Sequence, residues 1–566
     1  MKKVIIFILV IGFLNKLSIA QAPDWSWAKT NSGISDGESK SICTDSLGNI
    51  YMLGDFKNSK IIFENDTLYN SDSTGGSSDN FLVKYSANGD VLWAKKAGGS
   101  YSDFSRSITV DGFNNIYITG FFYSNFIIFN TDTLFKTNTS AYTSLIYIAK
   151  YNPLGDVLWT KCLGDTNNNM SFNITVDIVN NLYVSGGFRS QKIYFDTDTL
   201  SNVNPDYSDA FLVKYDINGN EIWVKHLGSS DNDWGTSIKA DKIGNVYMTG
   251  YFYGKNLVAG NDTLFKTDTI HNLTSDIFLI KFDSNGILQW LKAYGGNQNI
   301  YSFSLALDTN RNVYITGGFT SSTVILENDT LFNSNLQYPT ARDFFLIKFD
   351  ESGNEKWAKQ SFGSEMENGR SVFIDKENNI FVTGGFASIK SIFGSDTLIN
   401  NGTIGCNDIF IIKYDTLGNL KWAKNVGSNG DDEGESIVRD INGFIYVSGY
   451  FRSTSISFGN YTLYKAQGIT TNVFLAKLDP SILTRIENLN IKNNLLLFPN
   501  PSSNNLTIEA QAKTEIEIIN IEGQIIKKII LNENKTDIDI SAFSSGIYII
   551  KALTGNSIIT KKFIKE

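Results

Sequence analysis

The sequence predicts an all-β protein: a seven-bladed β-propeller closed by pairing of its N- and C-terminal strands, followed by a small β-sandwich. Three observations carry that expectation. Trp-x-Lys recurs seven times, at Trp27, Trp93, Trp159, Trp223, Trp290, Trp357 and Trp422, spaced 64 to 67 residues apart. Between copies the same signals return in the same order: an apolar strand ending in Asp, a strand ending Gly-x-Phe, an insert, a strand of the type Phe-Leu-x-Lys-Tyr, and a Gly turn into the Trp strand. The last copy lacks a Trp strand, while the chain opens with an orphan one at residues 25–30.

Each repeat reads as a four-stranded meander. The strand-ending acids are Asp45, Asp111, Asp177, Asp241, Asp308, Asp375 and Asp440, and the Gly-x-Phe rings are Phe56, Phe122, Phe188, Phe252, Phe319, Phe386 and Phe451. A sheet with two apolar faces cannot bury both alone, so the copies must stack, and seven lies within the roughly 4 to 8 blades of known propellers. Pairing the orphan strand with the last repeat would leave no open sheet edge at the seam. The inserts, such as residues 61–69 (IIFENDTLY), read as an extra hairpin.

Composition excludes several functions. Only two histidines, His226 and His271, lie 45 residues apart, too few for a multi-histidine zinc site. Cys43, Cys162 and Cys406 have no short spacing and read as small buried hydrophobes. Residues 21–487 carry 37 basic against 50 acidic side chains, which disfavours nucleic acid, whose binding rests on neutralised phosphates. Residues 1–20 have a basic start, an apolar run and small residues before Gln21, the layout of a signal peptide, and the run is too short for a membrane anchor. No other stretch is long and apolar enough to span a membrane.

The repeats divide scaffold from candidate site. Seven tryptophans at one position are blade-to-blade packing. The lysines two residues on lie on the outermost strand, where charge discourages edge pairing, and third-strand lysines such as Lys84 and Lys348 are expected to pair with strand-ending aspartates. The turns after the strand-ending acids are short and stereotyped, whereas the inserts and the loops after each Trp strand vary, and variable loops carry binding. Ligand-binding candidates there are Asp103, Asp231, Asp233, Trp234, Tyr301, Glu365, Asp431 and Asp432. An aromatic ring can stack on a sugar while carboxylates take hydroxyls, so the expected ligand is a glycan or a basic protein patch.

No catalytic residue and no resident metal or cofactor is expected. Asp308-x-Asn310-x-Asn312 and Asp231-x-Asp233-x-Gly235 open like calcium loops, yet Val313 stands where an EF-hand needs Gly, and a hairpin turn is favoured. Acids such as Asp431, Asp432 and Glu433, or Glu365 and Glu367, leave a glycosidase as the alternative, and a purely structural surface component is the other. Asp-Thr-Leu recurs in six inserts, with Thr67, Thr133, Thr199, Thr263, Thr330 and Thr397. It serves a turn, and it also resembles an acceptor site for O-glycosylation in exported bacterial proteins.

Two resemblances complete the reading. Residues 177–188 (DIVNNLYVSGGF) and 211–223 (FLVKYDINGNEIW) resemble a bacterial family of seven-bladed β-propeller repeats, a likeness covering about residues 24 to 480 that implies fold rather than activity. After a linker at 481–494, residues 495–566 alternate isoleucine with polar residues between glycine turns, giving a β-sandwich of about seven strands. Its motifs, with Pro499, Asn500, Pro501, Gly523, Gly546, Lys561 and Lys562, are similar to the C-terminal sorting domain of the type IX secretion pathway. That resemblance implies recognition by the export machinery, removal of the tail, and release or attachment at the cell surface. A generic carbohydrate-binding sandwich is the rival.

Overall fold

The computed structural model describes residues 22–479 and 495–566, apart from loop positions 34, 73, 137–141, 269, 271–273, 336–340, 404, 511, 513, 522, 555 and 556. The expected leader and linker lie outside the described residues. Every regular element described is a β-strand. The chain forms two compact units, dividing after Leu483.

In the first unit seven four-stranded antiparallel meanders follow one another. The first meander runs Gly37–Thr44, Ile50–Phe56, Asp79–Tyr85 and Val91–Gly98, here termed the inner, second, third and outer strands. The second strand, IYMLGDF, is buried along its whole length because neighbouring meanders cover both of its faces. The seventh meander takes Asp432–Arg439, Ile445–Phe451 and Asn472–Asp479 from the end of the unit and its outer strand, Asp24–Thr30, from the start. That outer strand pairs from Asp24 opposite Asp479 to Thr30 opposite Phe474.

Each meander is tied to the next by the residues that repeat. The Asp45 carboxylate accepts from its own turn, at Asn49 N (2.9 Å) and Asn49 Nδ2 (2.8 Å), and from the Tyr51 hydroxyl (3.0 Å). Lys84 Nζ lies over the Tyr51 ring and donates to Pro153 O of the next meander, as does Trp93 Nε1. Lys348 and Trp357 do the same to Thr416 O. The third-strand lysines therefore hold the neighbouring turn, and the expected ion pair is reduced to a 3.9 Å approach of Lys84 to Asp45. Gly155 sits against the face of Trp93 with φ +82, so both the turn and the ring require glycine there.

Every inner strand carries a β-bulge, in the first between Ser39 and Ser41. The bulge turns a polar side chain toward the adjacent inner strand. Ser237 Oγ accepts Leu305 N, Ser304 Oγ accepts Val372 N, Ser371 Oγ accepts Ile437 N, and Ser436 Oγ accepts Ile42 N. The last of these joins the seventh meander to the first, as does Lys477 Nζ donating to Ala87 O at 2.8 Å.

The inserts differ from their expected place among the variable loops. Hairpin Lys60–Phe63/Asp66–Tyr69 is wedged at the outer rim: Ile62 pairs with Ser32, beyond the preceding outer strand, and Asp66 accepts Ala94 N from its own meander's outer strand at 2.8 Å. Its Ile61, Phe63 and Leu68 enter the core. Outer-strand lysines meet acids at the hairpin turns, Lys29 with Glu64, Lys161 with Asp196 and Lys292 with Glu327. The apolar alternation of the insert thus serves packing between meanders.

The second unit has a three-stranded sheet, Leu496–Phe498, Asn505–Glu509 and Lys535–Asp539, and a four-stranded one, Glu515–Asn520, Ile525–Ile530, Gly546–Thr554 and Ser557–Lys565. Leu506, Ile508 and Ile538 from one sheet and Ile516, Ile518, Ile550 and Phe563 from the other form a single core.

Candidate functional site

The inner strands of all seven meanders line one cavity of 410 Å³. At the end of these strands nearest the variable loops, successive residues have different fates. The first residue of the strand is buried. Asp103, Asp233 and Asp432 are fully covered, and their carboxylates bind Ser124 Oγ (2.9 Å), Ser229 Oγ (2.8 Å) and Ser453 Oγ (2.6 Å). Burial raises the pKa of each. These three expected ligand-binding acids are instead loop anchors, because each satisfies the donors of a loop that packs over it.

The next residue stands at the rim and changes from unit to unit. Phe104, Trp234 and Tyr301 occupy it in the second, fourth and fifth meanders, all half-buried. Trp234 meets Phe172 edge-on at 5.4 Å, and Tyr301 meets Tyr251 edge-on at 5.0 Å. With Phe121, Tyr123, Tyr253 and Phe303 they make an aromatic arc over four consecutive meanders. Sequence reasoning found Trp234 and Tyr301 but missed the rest: Phe104, Phe121, Phe172 and Phe303 lie inside strands and read as core, and Tyr123 and Tyr253 directly follow a strand.

Elsewhere the rim carries ion pairs. Arg370 Nε donates to Glu433 Oε1 at 3.0 Å, Arg452 meets Asp431 at 3.1 Å, and Lys40 meets Glu38 at 2.6 Å. Burial pushes the Glu433 carboxyl up to about 7 although Arg370 opposes it. Arg342 and Arg370 lie over the Tyr301 and Phe303 rings, joining the two arcs by cation–π contact. Of the other expected residues, Asp431 is thus an ion-pair partner. Asp231 accepts Asn232 N at 2.7 Å, and Glu365 binds through its backbone to Arg342 and Ser388.

A further buried pair was not foreseen. The carboxyls of Asp343 and Glu367 adjoin, and burial pushes them up to about 6 and about 8. The signal was present in the sequence: a serine stands two residues after the Gly-x-Phe ring at Ser124, Ser190, Ser321, Ser388 and Ser453, and most of these meet the first residue of an inner strand.

On the opposite face a 620 Å³ cavity is lined by Asp241, Asp308, Arg311 and Asp375 among others. Its aspartates are engaged. Asp308 Oδ1 accepts Asn310 N and Asn312 N, and Oδ2 accepts Asn312 Nδ2 and the Tyr314 hydroxyl. The motif that opens like a calcium loop spends its oxygens on its own turn. Of the Asp-Thr-Leu threonines, Thr133, Thr199, Thr263, Thr330 and Thr397 are exposed and Thr67 is half-buried.

In the tail, Asn500 Oδ1 accepts Ile564 N (2.9 Å) and Asn500 Nδ2 donates to Lys562 O (3.1 Å). The segment containing Pro499 and Pro501 is thereby clipped to the last strand, which carries Lys561 and Lys562, both exposed. Gly523 has φ +84 in the turn from Asn520 to Gln524, and Gly546 opens the strand Gly546–Thr554.

The meanders and the tail define a protein of β-propeller repeats with a C-terminal sorting domain. Residues 496–566 match the family described as a secretion system C-terminal sorting domain, and residues 92–121 match a β-propeller repeat. The tail is a type IX sorting domain, which implies recognition by that machinery and an outer-surface or secreted destination. An uncharacterized WD repeat-containing protein of Acanthamoeba polyphaga mimivirus is 27% identical over 510 residues, 77% of this chain and 36% of that protein. The regulatory protein FlaEY of Caulobacter vibrioides is 26% identical over 291 residues, 49% of this chain and 29% of that protein. The chain thus spans about a third of the length of these curated relatives. The solved structure of PorZ, a surface component of the type-IX secretion system of Porphyromonas gingivalis, covers 95% of this chain and 100% of its own at 11% identity, with a TM-score of 0.14. So loose a superposition bears on neither fold nor activity.

Proposed function

We propose that the first unit is a closed seven-bladed propeller that acts, once exported, as a non-enzymatic saccharide-binding module. Closure is supported by the pairing of Asp24–Thr30 with Asn472–Asp479 and by the Ser436-to-Ile42 hydrogen bond, which repeats the bond between other neighbours. Binding rests on one observation above all: half-exposed Phe104, Trp234 and Tyr301 interrupt an otherwise repetitive scaffold at a single rim position. Aromatic faces beside charged hydrogen-bonding groups suit sugar rings and their hydroxyls. A non-enzymatic role is supported by the acids: Asp103, Asp233 and Asp432 are sealed, and Glu433 and Asp431 are held by arginines, so none of these five is free to serve as one of the two carboxyls that flank a bond in glycoside hydrolysis.

A glycan array probed with the exported protein tests this reading. Trp234→Ala and Tyr301→Ala should abolish any saccharide signal while the protein stays folded. A signal indifferent to both substitutions would move the site elsewhere.

A further inference from the structure

Between the seventh, first and second meanders, next to the aromatic arc, lies a separate cavity of 390 Å³ lined by Glu38, Lys40, Asp55, Phe104, Arg106 and Arg452 among others. Its volume is in the range of small-molecule sites, about 300 to 1,000 Å³. Two of its buried polar atoms lack partners. Asp55 is 6% exposed, and its Oδ1 accepts both the N–H and the O–H of Ser105 at 2.7 Å, while its Oδ2 has no partner. Arg106 has its guanidinium 5.0 Å from the Phe121 ring centroid, and its Nε is buried without an acceptor. Buried polar groups are ordinarily satisfied, so an orphan acceptor and an orphan donor in one cavity mark what a ligand has to supply.

The surrounding charges narrow the ligand. Lys40 is paired with Glu38, and Arg452 with Asp431 and Glu38. Among the described residues, no carboxylate lies within ion-pair distance of Arg106. Burial raises the pKa of Asp55, against the pull of Lys40, Ser105 and Arg106.

We propose that this cavity binds an acidic sugar residue, its carboxylate on Arg106, a hydroxyl hydrogen-bonded to Asp55 Oδ2, and its ring against Phe104. A guanidinium matches a carboxylate with paired hydrogen bonds. A hexuronate carries the carboxylate, the hydroxyls and the apolar ring face on one small unit. The inference rests on the saccharide-binding reading and adds a subsite that selects charge.

The experiment is calorimetric titration of the full chain with tetragalacturonate and with the same oligosaccharide after carboxyl reduction. The acidic form should bind at least about tenfold tighter. Arg106→Gln should bring the two affinities within about twofold, Arg106→Lys should retain part of the preference, and Asp55→Asn should weaken the acidic form. Thermal melts establish that the variants remain folded. Equal binding of both sugars, unchanged by Arg106→Gln yet lost in Trp234→Ala, overturns the acidic subsite and leaves the saccharide reading standing. Failure of both sugars overturns the acidic subsite, only an empty glycan array beside it overturns the saccharide reading as well, and Arg106-dependent binding of tetraglutamate in their place assigns the cavity to an acidic peptide.

Discussion

The two ends of the inner strands were built under different rules. At one end the strand stops at an aspartate in all seven meanders, and each time its carboxylate accepts the N–H of the residue four on, with the side-chain amide of an Asn there as a second donor in six of them. At the other end the rim position reads Glu38, Phe104, Met170, Trp234, Tyr301, Asn368 and Glu433. Repetition marks what each meander needs for itself and for its neighbour. Departure from repetition, at a position that stays half open in five of the seven meanders, marks where the scaffold is released for other use.

The sharpest way to break this comparison is at the seam. Deleting Asp24–Thr30 removes a whole outer strand with Trp25 and Trp27, so the melting temperature should collapse and the exposed edge of Asn472–Asp479 should promote aggregation. An unchanged melt would mean that the seventh meander does not depend on the first strand.

Next in size is a contrast between two tryptophans. Trp223 is 8% exposed, packs on Tyr183 and donates to Ser284 O of the next meander. Trp223→Ala should cost about 3 to 5 kcal/mol in chemical denaturation. Trp234→Ala, at the rim, should cost about 1 kcal/mol and remove ligand binding instead. Equal losses of stability would erase the distinction between scaffold and rim.

A subtler test uses pH. Asp343 and Glu367 titrate near 6 and near 8 in the folded protein, above the usual carboxylate range, because burial disfavours their charged forms. The folded state therefore holds protons that the unfolded chain releases near pH 4, so the contribution is complete below that and is lost as pH rises through 6 to 8. Melting temperature should fall between pH 5 and pH 9, and Glu367→Gln should flatten the slope. A wild-type melt that is level across this window would show that the pair does not titrate there.

The smallest effect is expected at the exposed threonines. Thr133→Ala or Thr263→Ala should change stability by less than about 0.5 kcal/mol. Peptide mass spectrometry of native exported material should find hexose-type additions at the Asp-Thr-Leu sites, and unmodified peptides at all six would return them to plain turns.

The repeat period, the tryptophans, the capping aspartates and the tail motifs could be read directly, since each is a local demand of backbone geometry or packing that recurs in sequence. The misreadings share one cause. Asp103, Asp233 and Asp432 look like loop acids because the serines that cover them can lie some 20 residues away, as Ser124 and Ser453 do. The inserts, read as extra hairpins, look like part of the variable binding face because their partner, the preceding outer strand, lies some 35 residues upstream, as Lys29 does from Glu64. The β-bulges leave no mark at all, since a serine at the bulge is an ordinary strand residue until a neighbour's N–H needs an acceptor.

Those hairpins belong to one meander in sequence and to two in space. Lys29 with Glu64, Lys161 with Asp196 and Lys292 with Glu327 each join partners 35 residues apart. A single proteolytic cut within such an interval severs the chain where the neighbouring sheets are still clasped from outside by the hairpin and from inside by the bulge serines. Outside a cell, where proteases are encountered and no chaperone refolds the product, a nicked molecule of this design would stay assembled and keep its rim intact.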